Sequence, residues 1–166
     1  MFEVFDHTAD VGLRVRAATL EELLQEAARG LFSLLVANLE DVRVVEWETI
    51  EVAGSRAVAG SNEATASNEA TASNEATGCN EATETEPELL LFDWLSELLY
   101  AYSVRKRLVA SCEVRLTSTG IVARVGGETV DESRHRLEHE VKAITYHGLR
   151  CEPTGDGWIA ECILDI

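Results

Sequence analysis

A chain of 166 residues that is 46% hydrophobic can bury one substantial core, and its length suits a single domain. The formal net charge of −16 argues against direct nucleic-acid binding, which depends on Lys and Arg neutralising phosphates, and suits a basic protein partner or a bound cation instead. No run approaches the roughly 18 apolar residues of a membrane span, and the acidic start Met1–Asp6 lacks the basic n-region of a signal peptide, so the expected location is cytoplasmic, with no membrane association.

Chemistry-bearing residues come early. Asp6-His7-Thr8-Ala9-Asp10 packs two carboxylates, an imidazole and a hydroxyl into five residues. Such density can hold a hard cation or support acid–base work, and at strand spacing residues 6, 8 and 10 share a face. The competing reading is a polar turn in which Asp and Thr satisfy backbone donors. Val11, Leu13 and Val15 then alternate with Gly12, Arg14 and Arg16, which predicts a strand. Thr19-Leu20-Glu21-Glu22 has the form of a capping box. Leu20, Leu23, Leu24, Ala27, Ala28, Leu31, Phe32 and Leu35 then follow as one apolar helical stripe.

A strand is expected near Val42–Val52. After it, Asn-Glu-Ala-Thr recurs at 62–65, 68–71, 74–77 and 80–83. Residues 61–88 carry seven Glu and no Lys or Arg; without them the rest still stands at −9. Repeats offering only Ala and Thr bury too little to offset chain entropy, so a low-complexity acidic insertion is expected at about 60–87 within a single domain spanning 1–166. Pro87 sits where a helix can begin, and Leu91, Trp94, Leu95, Leu98, Leu99 and Tyr102 form a second helical stripe.

The last third reads as strands. Cys112, Val114 and Leu116 alternate with polar residues, a turn follows at Ser118–Gly120, and Ile121, Ala123 and Val125 continue the pattern. In Glu140–His147, Lys142, Ile144 and Tyr146 share one strand face and Thr145 and His147 the other; His147 also reads as a plain surface residue. His135 and His139 would match a metal pair only on a helix, and they fall in what reads as a loop. A turn at Thr154–Gly157 leads into Trp158–Ile166. There Asp165 stands beside the carboxylate of Ile166, a repulsion that a divalent cation would relieve and that a frayed end would tolerate. The expected fold class is α+β: a mixed β-sheet sandwich with two amphipathic helices.

Phosphate-loop, nucleophile-elbow and H-E-x-x-H motifs are absent. Cysteines 79, 112, 151 and 162 form no C-x-x-C pair and are expected to be reduced and mostly buried.

Phe5–Gly12, Leu91–Tyr100, His139–Leu149 and Ile163–Ile166, in that order, resemble the archease family over the whole chain except 55–88. That resemblance implies a strand–helix–strand–strand module. It implies a protein cofactor, not an enzyme, that promotes guanylylation with GTP and multiple turnover of the tRNA-splicing ligase in tRNA splicing and RNA repair. It further implies a metal site for a divalent cation, Ca²⁺ or Mg²⁺, at Asp10, Asp165 and Ile166. Asp6, His7, Lys142 and His147 are the expected second-layer or partner-facing residues. The alternatives are a metal-independent chaperone-like module and a small metal-dependent phosphoesterase using His7, Asp10 and His147.

Overall fold

Residues 1–8, 10–53 and 86–166 are described by the structure, a computed structural model. The insertion expected at about 60–87 lies outside them but for its last two residues. In chain order the elements are β1 (Phe2–His7), β2 (Asp10–Ala17), α1 (Leu20–Leu35), β3 (Glu46–Ala53), α2 (Pro87–Arg105), β4 (Arg107–Thr117), β5 (Gly120–Thr129), β6 (Ala143–Thr154) and β7 (Gly157–Asp165).

The strands form two sheets, β1-β2-β7-β6 and β3-β5-β4. The α+β class is as expected. Every pairing is antiparallel, where mixed sheets were expected, because β1–β2, β4–β5 and β6–β7 are joined as hairpins by tight turns. The second sheet and α2 make up the strand–helix–strand–strand unit β3-α2-β4-β5.

Both helices lie between the sheets: α1 packs on β2 and β4, and α2 on β6 and β3. A helix covered from two sides must be apolar over more than one stripe. Accordingly α2 buries Leu90, Leu91, Trp94, Leu95, Leu98, Leu99 and Ala101. At the centre Trp94 is fully buried, and its Nε1 donates to the Leu24 carbonyl of α1 at 2.9 Å.

The cap of α1 was legible in advance. Thr19 Oγ1 accepts from Glu22 N at 3.2 Å, while Glu22 reaches back to the Ala18 N–H, one residue earlier than a capping box requires. Thr19→Ala should lower stability by about 1 kcal/mol, seen as a lower urea midpoint at unchanged m.

The strand expected near Val42 begins at Glu46, since Leu39–Asp41 first makes a 3₁₀ turn. Opposite an irregularity in β4 between Val109 and Ser111, a Cβ on Gly127 would stand 1.8 Å from the Leu108 carbonyl oxygen. The close approach of those two strands therefore requires glycine there.

Candidate functional site

Strand register assembles the site. On β2 and β7, Val11↔Leu164, Leu13↔Cys162 and Val15↔Ala160 are opposed and face the core. Alternation sends the residues between them to the outer face. One outer row is Glu3, Arg14 and Glu161 across β1, β2 and β7, with Arg14 3.3 Å from Glu3 and 2.5 Å from Glu161. The next is Phe5, Gly12 and Ile163. Here the Phe5 ring covers Gly12 so closely that a Cβ on Gly12 would meet it at 2.2 Å.

The third row ends the sheet. His7 opposes Asp10. Continued by one residue, the β2–β7 register sets Asp10 against Asp165, and Asp165 opposes Ala143 on β6. Two carboxylates opposed on one face repel, since directly facing side chains stand only about 5 Å apart at Cβ. Lys142 partly offsets this. Its Nζ donates to an Ile166 main-chain oxygen at 2.9 Å and lies 4.0 Å from Asp165 Oδ1, and its N–H donates to the Asp165 carbonyl. The Lys142 and Asp165 side chains are about half exposed, so the group is open to solvent and to a partner.

The expectation that residues 6, 8 and 10 share a face is corrected by the hairpin. Thr8 takes a left-handed φ of 51° as the chain reverses. Asp6 therefore opposes Val11 and points away from the face of His7 and Asp10.

His147 does join His7, and sequence reasoning missed why. The regular β6–β7 register breaks between Thr145 and Arg150. Gly148, at φ 64°, lies over Ile163 in this stretch. His147 is thereby carried across two intervening strands until its ring centre is 5.7 Å from that of His7. Thr145 opposes Ile163 on the outer face and Ile144 opposes Leu164 in the core, on opposite faces as expected, while Tyr146 stacks on Phe92 of α2 at 3.9 Å. Gly148 was the available signal, a glycine inside an otherwise alternating strand.

His135 and His139 make no helical pair. The buried His135 ring accepts from Asp131 N at 2.9 Å through Nδ1 and lies 3.3 Å from Glu128 through Nε2. Asn38, also buried and unsuspected from sequence, donates to Arg134 O and accepts from Arg136 N. Asn38 and the backbone bonds from Ala37 to Arg136, Glu138 to Leu35 and His139 to Leu34 tie this segment to the end of α1, while His135 ties it to Glu128 of β5. Cys151 and Cys162 are buried and Cys112 half-buried, and burial pushes all three thiols up to about 12. Cys79 lies outside the described residues. No helix among the described residues is long and apolar enough to cross a membrane.

The model of the Archease protein family (MTH1598/TM1083) matches residues 2–60 and 44–166. The chain belongs to the archease family. Among its archease relatives, the protein archease of Thermococcus gammatolerans is 33% identical over 170 residues, with 99% of this chain and 98% of that one covered. The archease of Methanopyrus kandleri is 31% identical over 169 residues, covering 99% of each. The archease fold also recurs in solved structures. Methanobacterium thermoautotrophicum protein 1598 superposes with a TM-score of 0.68 at 23% identity, covering 99% of this chain and 98% of that one. A Thermotoga maritima protein described as an archease, "possible chaperone", gives 0.56 at 18% identity, covering 98% and 94%.

Proposed function

We propose that this archease-family chain is a cytoplasmic, metal-binding protein cofactor that activates the tRNA-splicing ligase, promoting its guanylylation with GTP and its repeated turnover. The observation that carries the reading is the row ending the first sheet, where Asp10 and Asp165 are opposed on one face beside the Ile166 main-chain oxygen. Two carboxylates and the Ile166 main-chain oxygen are an all-oxygen donor set, which fits hard divalent cations such as Ca²⁺ or Mg²⁺. Among the described residues no three His, Cys, Asp or Glu side chains gather as ligands by themselves; this reading takes the Ile166 oxygen as third donor and water for the rest of the shell.

A bound divalent ion there would supply positive charge for polyphosphate oxygens. The chain's own part is positional. Asp10 and Asp165 are carried at neighbouring strand ends and the Lys142 ammonium donates to the Ile166 oxygen, so strand register brings the two carboxylates to one end of the sheet. The half-exposed group leaves room for a partner's active site to close over it, and the acidic body favours a basic partner surface.

The test is ligase guanylylation with GTP and Mg²⁺, with and without substoichiometric amounts of this protein. Stimulation lost on deleting Asp165-Ile166 supports the reading. A competent ligase that ignores the protein sinks it. A chaperone-like module, the description given to the Thermotoga relative, predicts ligase binding indifferent to chelator and to that deletion. A phosphoesterase using His7, Asp10 and His147 predicts chelator-sensitive hydrolysis of phosphate esters by the isolated protein.

A further inference from the structure

Two imidazoles on the outer face lie beside the oxygen donors without being among them. The rings of His7 and His147 come from the two edge strands and are tilted by 53° at 5.7 Å between centres. Simple ring packing leaves something unexplained. His7 Nδ1 is buried with no hydrogen-bond partner, and so is Thr145 Oγ1, two residues from His147. An unpaired buried polar atom costs about 1–3 kcal/mol, and an ion or a water it carries is a usual remedy.

The ring spacing fits such an ion. With metal–nitrogen bonds of about 2 Å, two imidazoles sharing one ion at a tetrahedral or wider angle have centres roughly 5–6 Å apart. We infer that His7 and His147 form a two-imidazole seat for a late first-row divalent ion of the Zn²⁺ or Co²⁺ class. No ready-made third ligand joins them among the described residues, so water completes the coordination, with the Asp10 carboxylate opposite His7 adding negative potential. Imidazole nitrogen suits Zn, Cu, Fe and Ni, whereas Ca and Mg prefer oxygen. Ligand softness thus separates this seat from the row of carboxylates beside it. The inference does not depend on the ligase reading.

The experiment is calorimetric titration of the metal-stripped full chain with Zn²⁺, paired with the visible spectrum on adding Co²⁺. Wild type is expected to bind one Zn²⁺ and to give a Co²⁺ spectrum with nitrogen-ligand bands. His147→Ala, at an exposed position, and His7→Gln should each weaken Zn²⁺ binding by at least the roughly 10–100-fold that even outer-shell partners are worth. Asp165→Asn should leave Zn²⁺ binding little changed while removing Ca²⁺-dependent stabilisation, and His147→Ala should do the reverse. Absence of Zn²⁺ uptake by wild type, or a His147→Ala isotherm that superimposes on it, overturns the assignment.

Discussion

Asp10→Asn combined with Asp165→Asn is expected to bring ligase guanylylation down to the rate of the ligase alone, while leaving the protein folded. Asn keeps the size of each side chain, and both positions are strand ends with partial exposure, so neither change opens a void. Removing two like charges opposed across neighbouring strands should leave the metal-free protein as stable as the wild type, or slightly more so. The difference should emerge on adding the ion. A ligand that binds only the native state contributes about 2.7 kcal/mol at a hundredfold excess over its dissociation constant. Wild type should therefore gain thermal stability with Ca²⁺ or Mg²⁺, and the double variant should not. A double variant that is stabilised by the ion and still stimulates the ligase would falsify the site. One that is folded and loses the ion response, yet stimulates fully, would separate metal from function and favour the metal-independent module.

The largest effect on stability is expected at Trp94. This side chain is fully buried where α2 meets α1, and its Nε1 is bonded to the Leu24 carbonyl. Trp94→Ala should cost about 3–5 kcal/mol, the usual range for deleting a large aromatic from a core. Since domains are stable by only about 5–15 kcal/mol, much of the margin would go. Trp94→Phe is the informative companion. It keeps most of the volume and loses the indole donor, but Leu24 is an interior residue of α1 and its carbonyl keeps a helical partner. Its cost should therefore fall well below that of Ala. Urea unfolding of both variants at unchanged m checks the pair; equal losses would mean that the hydrogen bond, not the packing, dominates.

How much of this was legible in the sequence depends on whether the cause was local. The Thr19 cap, the apolar stripe of α1, the start of α2 at Pro87 and the alternation in β2, β4, β5 and β7 follow from spacing and capping within a few residues. Wherever the cause lay in another strand, the reading fell short. Residues 6, 8 and 10 do not share a face, because strand alternation does not carry through the reversal at Thr8. β1 leaves little trace because Phe2–His7 alternates poorly, with Val4 and Phe5 adjacent. The turn at Leu39–Asp41 displaced the start of β3 because three residues of 3₁₀ geometry leave little trace in composition. Asn38 shows no signal in the sequence, since a buried polar side chain is recognised by its partners, and those lie up to 98 residues away.

For function, the sequence by itself determined the acidic character of the chain, the carboxylates and imidazoles it carries and the family pattern of four motifs in order, because these depend only on residue identity and order. The tertiary structure decided which donors meet. Register between β2 and β7, continued by one residue, sets Asp10 against Asp165, 155 positions away, and the β1–β2 register sends Asp6 to the other side. The irregularity in β6 delivers His147 to His7, and the Lys142 N–H bonded to the Asp165 carbonyl sets Lys142 beside Ile166. Such juxtapositions come from hydrogen bonding between strands distant in the chain, and that pairing has no counterpart in local spacing.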